Sequence, residues 1–261
     1  MTALATPGRV QGVEFSVLGD GLPVTVFSHG LGGSSSEVRP LAVRSRGTRV
    51  LMSFRGHGAS DSLPGGWDYD LLAADLLAVA DHVGATRCLG LSLGSGALLR
   101  VLRDDPGRFE RLAMVLPAAL DAARADGATS RLDELGAAID RGDTDTVAAL
   151  LLAEVPRHLH DTRAVPLLLR RRATELVRRP APVPLSADRP LVDRAVLSAV
   201  TGRCLVVAQS EDALHTVALA RELAAALPTA DLLELPAGGV FWTATRVVQQ
   251  ALADHLTPEI P

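Results

Sequence analysis

Ser92 stands in the pentapeptide GLSLG at residues 90–94, and the chain changes character on either side of it. The short apolar run 87–91 predicts a strand, and the leucine spacing over 98–102 predicts an amphipathic helix. Glycines on both sides of a serine, between a strand and a helix, favour a sharp turn that presents the serine on strained backbone. Ser92 is therefore the candidate nucleophile.

Length, charge and cysteine content exclude several classes of protein. The chain has 261 residues, of which 48% are hydrophobic, so a substantial core is expected. A net charge of −4 gives no reason to expect a nucleic-acid partner. No apolar run approaches the roughly 20 residues of a membrane span, and the N-terminus lacks a signal-peptide pattern. We expect a cytoplasmic protein with no membrane partner, and a homodimer is left open. Cys88 and Cys204 lie in apolar strand-like runs, which predicts buried free thiols.

Strand-like and helix-like segments alternate along most of the chain. Runs 13–18 and 23–28 flank a Gly-Asp-Gly turn and predict a hairpin. Residues 121–198 interrupt the alternation with helical patterns and a proline-rich stretch at 180–190. The pattern predicts an α/β fold with a mostly parallel central sheet flanked by helices. We divide it into a core, residues 1–120 and 199–261, and a helical cap, residues 121–198.

Ligands of such a sheet bind at the carboxyl ends of its strands. Clusters of Gly, Ser, His and Asp follow the strand-like runs at 29–33, 55–61, 90–94 and 209–215. No GxGxxG opens a βαβ pattern, and no His, Cys or carboxylate spacing is typical of a metal site. We therefore expect a small-molecule substrate, no cofactor and no metal.

Four motifs in this order resemble the α/β-hydrolase superfamily over nearly the whole chain. They are HG at 29–30, RGHG with a serine at 55–60, GLSLG at 90–94, and an acidic cluster after the run 204–208. The resemblance implies that Ser92 is the nucleophile and that a helical cap covers the site. It also implies an oxyanion hole made by the backbone N–H groups of Leu31 and Leu93.

The resemblance places the acid of the catalytic triad at Asp212. The family pattern is close to GxxDxxxP, but Gln209 and Thr216 stand where glycine and proline are usual. Glu211 is the neighbouring alternative, and an Asp-Glu pair at this place can also simply cap a helix.

The histidine that serves as general base in the family follows the last strand. Here that stretch reads LPAGGVFW at 235–242, and Val240 occupies the histidine's place. Valine carries no proton, and an aspartate with a pKa of about 3.9 is a poor base for a serine hydroxyl. His215, three residues after Asp212, is the first candidate for a replacement, although an exposed histidine is the ordinary alternative. His158 and His160 in the cap are further candidates.

Other residues are expected near a substrate. We group five as candidate substrate-binding residues: His29, Gly30, Val240, Phe241 and Trp242. The arginines at 170–172 and 178–179 either meet an anionic substrate or form a solvated helix face.

Two functions remain open at this point. The first is an enzyme acting through Ser92 on a small or medium apolar ester, lactone, thioester or related carbonyl compound. Because the usual histidine is absent, its reaction could also be non-hydrolytic, namely cyclisation, elimination or isomerisation. The alternative is a small-molecule-binding pseudoenzyme or receptor-like protein on the same fold. Covalent labelling of Ser92 by a fluorophosphonate distinguishes them. A serine–histidine mechanism also requires a histidine nitrogen within about 4 Å of Ser92 Oγ, directly or through one water.

Overall fold

A computed structural model of the chain describes residues 5–63, 66–122, 126–178 and 189–257, and an eight-stranded sheet runs through them. The strands are β1 (Thr6–Val10), β2 (Val13–Leu18), β3 (Val24–Ser28), β4 (Thr48–Ser53), β5 (Arg87–Leu91), β6 (Arg111–Val115), β7 (Arg203–Gln209) and β8 (Ala230–Leu235). The helices are α1 (Ser35–Ala42), α2 (Tyr69–Val83), α3 (Leu93–Asp104), α4 (Asp126–Asp140), α5 (Thr144–Leu152), α6 (Ala164–Arg178), α7 (Val217–Ala226) and α8 (Thr245–Leu256).

The strand order is β1-β2-β4-β3-β5-β6-β7-β8, and all neighbours from β4 to β8 are parallel. Only the pairs β1–β2 and β2–β4 are antiparallel among the described strands. The predicted α/β fold with a mostly parallel sheet is confirmed. Parallel strands end at the same edge, so the loops after β3, β5 and β7 meet there.

The predicted hairpin of runs 13–18 and 23–28 is wrong. β2 pairs with β4, where Glu14 lies opposite Ser53, and β3 lies on the other side of β4. The backbone N–H of Thr48 donates to the carbonyls of both Gly21 and Pro23, which fastens the connecting segment to the start of β4. Local alternation identifies a strand, but its partner is decided by such non-local bonds.

Two apolar layers enclose the sheet. Helices α2, α3 and α7 supply one layer, and α1 and α8 supply the other. Successive residues of β5 alternate between them, with Cys88 in the first layer and Leu89 in the second, as strand geometry requires. Cys88 and Cys204 are buried free thiols, as predicted. Burial raises the pKa of both, to about 12 at Cys204, so neither is a ready nucleophile.

Helices α4, α5 and α6 follow β6 and share an apolar cluster of their own. Leu176 of this cluster meets the loop after β3 so closely that a Cβ at Gly32 would lie 2.4 Å from it. Further along the segment predicted as cap, Leu191 and Leu197 pack in the main core. Residues 180–188 of the predicted proline-rich stretch lie outside the described residues. None of the described helices is both long and apolar enough to span a bilayer.

The turn between β5 and α3 holds Ser92 at φ 48° and ψ −103°, a strained backbone for a residue with a side chain. Two close contacts explain why this turn has glycine on both sides of Ser92. A Cβ at Gly90 would lie 2.4 Å from the carbonyl oxygen of Gly94, and one at Gly94 would lie 2.5 Å from Ser28 Oγ. The strand and the helix therefore meet only because both positions lack side chains.

We expect Gly90→Ala to lower the free energy of unfolding by about 1–3 kcal/mol, because the added methyl group meets fixed backbone. Gly136→Ala is the matched control, since nothing lies within 4 Å of a Cβ there. In helix α4 this control should raise the free energy of unfolding by up to about 1 kcal/mol. Urea unfolding of both variants measures the difference. Equal stability of Gly90→Ala and the unchanged chain would contradict the account of the turn.

Candidate active site

The loop after β7 is closed by the side chain of Asp212. The backbone turns at Glu211, which has φ 58°, and the Asp212 carboxylate then accepts the N–H groups of Leu214 at 3.1 Å and His215 at 3.0 Å. Helix α7 has a separate cap, Thr216, whose hydroxyl accepts the N–H of Leu219. Asp212 thus fixes a short turn that ends in His215, just before the helix.

The same carboxylate holds the imidazole of His215. Nδ1 lies 3.0 Å from each carboxylate oxygen of Asp212, and Nε2 lies 2.8 Å from Ser92 Oγ. The side chain of His215 is 11% exposed, and that of Asp212 is 5% exposed. An ionised carboxylate only accepts hydrogen bonds, so Nδ1 carries the ring proton and Nε2 presents its lone pair to the serine hydroxyl. This is the geometry of a nucleophile, a base and a group that orients the base.

The Asp212 carboxylate stays ionised in this environment. Burial alone would raise its pKa, but the hydrogen bond and charge of His215 and the amide of Gln209 outweigh burial and lower the pKa to about 2. Because an unfolded aspartate titrates near 3.9, the group stabilises the folded state above about pH 4, and that contribution is lost as the pH falls towards 2.

The alternative acid and bases lie elsewhere. Glu211 is exposed, and the described bonds of the His215 ring nitrogens are to Asp212 and Ser92. In the cap, His158 is exposed, and His160 Nε2 lies 2.8 Å from the carbonyl oxygen of Val155. The structure therefore brings together Ser92, Asp212 and His215 from the sequence-based candidates.

The amides of Leu31 and Leu93, expected to form the oxyanion hole, both lie at loop or helix starts near Ser92. The carbonyl of Gly30 accepts the N–H of Gly33 at 3.0 Å, so the trans peptide turns the N–H of Leu31 away from that turn. Leu93 opens α3, where first-turn N–H groups have no partner within the helix. Within the described residues neither amide donates a hydrogen bond. Both are free to bind an oxyanion.

A charged network fastens the oxyanion loop, residues 29–33, to the cap. Glu37 Oε2 accepts the N–H of Gly30 at 2.9 Å, and Arg172 Nη2 of α6 donates to the carbonyl of Leu31 at 3.0 Å. Arg172 also binds Glu154 at 2.8 Å and lies 4.0 Å from Glu37. Burial raises the pKa of Glu37, and the Arg172 guanidinium opposes that shift.

The arginine cluster of the sequence is thus divided. Arg172 is inside the site and already paired with carboxylates. Arg170 is 72% exposed and lies 3.7 Å from Asp145, and Arg178 is 70% exposed, 3.5 Å from Glu175. The exposed arginines of α6 form a solvated helix face, and Arg179 of the cluster lies outside the described residues.

A narrow cavity with a free interior volume of about 50 Å³ lies over Ser92. Its wall is mostly apolar, and Glu154 and Arg172 are its charged pair. The lining residues are Leu31, Tyr69, Ser92, Leu93, Ala118, Leu132, Leu135, Leu151, Glu154, Arg172, Leu176, Leu214 and His215. A wall of this composition suits the apolar groups of a small organic molecule.

The five candidate substrate-binding residues do not line this cavity, which corrects that expectation. His29 and Val240 are fully buried, and Gly30 is buried beside the elbow. Phe241 packs on the core layer of α1 and α8, while Trp242 packs on the cap cluster. Nearness to a motif in sequence did not indicate which side chains face the cavity.

His29 links the loop after β3 to the end of β4 through hydrogen bonds. Its Nε2 accepts the N–H of Phe54 at 3.0 Å, and its Nδ1 lies 2.6 Å from the carbonyl of Gly30. Burial, together with the nearby His57, lowers the pKa of His29 well below its usual value. The ring therefore stays neutral, with Nδ1–H donating into the oxyanion loop.

Sequence reasoning missed Tyr69 and Glu154, and it named Arg172 only as one member of an arginine cluster. Tyr69 sits at the first position of α2, and a Cβ at Gly96 would lie 2.2 Å from its ring. Arg172 belongs to α6, whose periodicity showed only an apolar face, and Glu154 lies in the turn after α5. Among the described residues, no group of three His, Cys, Asp or Glu side chains could hold a metal ion.

Solved structures of known proteins share the fold of this chain. A solved esterase from Exiguobacterium antarcticum superimposes with a TM-score of 0.77 at 15% identity, covering 96% of this chain and 98% of that one. The enol-lactonase from Burkholderia xenovorans LB400 superimposes with a TM-score of 0.76 at 22% identity, covering 97% of this chain and 100% of that one. At these identities the likeness shows the fold alone.

Sequence relatives match over shorter stretches. A non-heme chloroperoxidase from Streptomyces lividans is 40% identical over 103 residues, 37% of each chain. A putative carbamate hydrolase, RutD, from Caulobacter segnis is 33% identical over 119 residues, 42% of this chain and 45% of that one. The matches thus span less than half the length of these relatives. The model of the alpha/beta hydrolase family matches residues 25–250. The chain therefore belongs to the alpha/beta hydrolase family.

Proposed function

We propose that the chain is a serine hydrolase that cleaves uncharged, largely apolar esters, lactones or thioesters of small or medium size. The observation that carries this proposal is the contact of 2.8 Å between Ser92 Oγ and His215 Nε2, with Asp212 at 3.0 Å on the other ring nitrogen. The base comes from the loop after β7, whereas Val240 fills the usual place after β8.

The first half of the reaction forms an acyl-enzyme. Ser92 Oγ attacks the carbonyl carbon of the substrate while its proton passes to His215 Nε2. The Asp212 carboxylate stabilises the imidazolium that results. The oxyanion of the tetrahedral intermediate accepts hydrogen bonds from the amides of Leu31 and Leu93. When the intermediate collapses, the leaving alkoxide or thiolate takes the proton from His215.

The second half releases the acid. A water molecule gives a proton to His215 Nε2 and attacks the acyl carbon, and the second tetrahedral intermediate is held by the same two amides. Its collapse breaks the bond to Ser92 Oγ, which recovers its proton from His215. For a lactone, the leaving alcohol is part of the acyl chain, so the product is a single hydroxy acid.

The preference for uncharged substrates rests on Arg172. Its guanidinium already binds Glu154 and lies 4.0 Å from Glu37. A substrate carboxylate would have to displace these partners and would face their negative charge. The apolar remainder of the wall favours hydrocarbon groups on the substrate. The names esterase and enol-lactonase of structurally similar proteins accord with this class.

The other functions left open by the sequence depended on the lack of a base. Non-hydrolytic chemistry and a binding-only protein were considered because Val240 replaces the usual histidine. His215 supplies a ring nitrogen at hydrogen-bond distance from Ser92. The reason for preferring either function over hydrolysis is therefore removed.

We expect Ser92→Ala and His215→Gln each to reduce kcat on short-chain p-nitrophenyl esters by about 10⁴- to 10⁶-fold, since members of a triad act as a unit. His160→Gln is the control, because that histidine binds a cap carbonyl, and it should keep activity within about two-fold. Labelling with a fluorophosphonate followed by peptide mass spectrometry should modify Ser92 in the unchanged chain and not in His215→Gln. Near-normal turnover by His215→Gln would contradict the proposal.

We expect Arg172→Met to lower both activity and stability, because it leaves Glu154 and Glu37 without their shared cation and the Leu31 carbonyl without its donor. The free energy of unfolding should fall by about 1–3 kcal/mol, and kcat by about 10-fold, equivalent to one lost hydrogen bond in the transition state. Arg170→Met removes an exposed arginine of the same helix. It should change the free energy of unfolding by no more than about 0.5 kcal/mol and kcat by no more than about two-fold. Equal effects of the two substitutions would rule out a role of Arg172 in the site.

A further inference from the structure

Gln209, the last residue of β7, joins the two loops that follow β7 and β8. Its side-chain Nε2 donates to Asp212 Oδ2 at 2.9 Å, and its Oε1 accepts the backbone N–H of Val240 at 3.2 Å. The residue is 6% exposed. The opposite amide orientation would set oxygen against carboxylate and NH₂ against N–H, so the partners fix which atom is which.

The bonds of Asp212 show what Gln209 contributes. Oδ1 accepts the N–H groups of Leu214 and His215 and also faces His215 Nδ1. Among the described contacts, Oδ2 has Gln209 Nε2 and His215 Nδ1 as its partners. The loop backbone therefore fixes one oxygen, and Gln209 fixes the other. With both oxygens held, the plane of the carboxylate and the ring that it orients are also held.

Val240 gives Gln209 a rigid anchor. Its side chain is fully buried in the core layer of α1 and α8, together with Leu235 and Val207. Its backbone N–H is therefore held in place by packing of the side chain. The loop after β8 supplies no proton-carrying group here, but it reaches the site through this N–H and the Gln209 amide.

We propose that Gln209 is a positioning residue that locks the Asp212 carboxylate in the plane of the His215 ring, so that Nε2 stays directed at Ser92. The proposal rests on the proposed hydrolase function. It assigns a purpose to two departures from the family pattern together, glutamine in place of glycine at 209 and valine in place of histidine at 240. An acid and a base on one short loop need support from a second loop, and Gln209 provides it.

The test compares Gln209→Met with Gln209→Glu. Methionine keeps the length of the side chain and loses both hydrogen bonds. We expect kcat on p-nitrophenyl butyrate to fall about 10- to 100-fold, the usual effect of losing a hydrogen bond to a charged group, with KM within about two-fold. The rate of fluorophosphonate labelling of Ser92 should fall by the same factor. Unchanged kcat in folded Gln209→Met would overturn the proposal.

Glutamate keeps the shape and can still accept the N–H of Val240, but it replaces the donor to Asp212 with a negative charge. Once ionised, the added carboxylate favours the imidazolium, so the rise of kcat/KM with pH should move to higher pH than in the unchanged chain. Glu37 of α1 also interacts with His215 through its charge, and this residue is the same in all variants. Should Gln209→Met not fold, this profile carries the test, and an unshifted profile would overturn the proposal.

Ser210→Ala is the matched control. Ser210 follows Gln209 and binds the Leu235 carbonyl at 3.3 Å through its hydroxyl, without touching Asp212. Its kcat should stay within about two-fold of the unchanged chain. His215→Gln in the same assay separates the two claims. Full activity of His215→Gln would overturn the hydrolase mechanism, whereas an inactive His215→Gln beside a fully active Gln209→Met would overturn only the role of Gln209.

Discussion

The Asp212 carboxylate is the group on which the rest of the site depends. It accepts two backbone N–H groups of its own turn and the Nδ1–H of His215, so it shapes the loop and orients the base at once. These bonds outweigh burial and keep its pKa low. Without them, a buried charge at this place would be costly, and a histidine three residues away would have no fixed direction. One side chain thus directs a histidine of the turn before α7 at the hydroxyl of Ser92.

The loops around Ser92 divide the work. The turn after β5 presents the serine on strained backbone, and the loop after β3 and the start of α3 have free amides. In the proposed mechanism, the loop after β7 supplies the acid and the base. The cap reaches the oxyanion loop through Arg172 and Leu176. The loop after β8, which carries the histidine in the resembling family, here ends in a buried valine and acts through a backbone N–H. The core sheet makes this redistribution feasible, because its parallel strands deliver all these loops to one edge.

What could be predicted from the sequence was local. The strands, the glycines of the elbow and Ser92 follow from short patterns, since the close contacts of Gly90 and Gly94 involve neighbours in sequence or the adjacent strand. The partner of β2 could not be predicted, because it depends on bonds between Thr48 and a distant segment. His215 could be named as a candidate but not assigned as the base, because its spacing of three residues from Asp212 does not show whether the ring faces Ser92. Arg172 was one of several arginines, and only tertiary packing places it in the site.

The most direct test of the central claim is a crystal structure of the chain after reaction with a fluorophosphonate. We expect phosphorus bonded to Ser92 Oγ, the phosphoryl oxygen within hydrogen-bond distance of the Leu31 and Leu93 amides, and His215 Nε2 as the nearest ring nitrogen, with Asp212 still on Nδ1. An unmodified Ser92, an adduct oxygen directed away from both amides, or a different histidine beside the adduct would contradict the assignment of the base to the loop after β7.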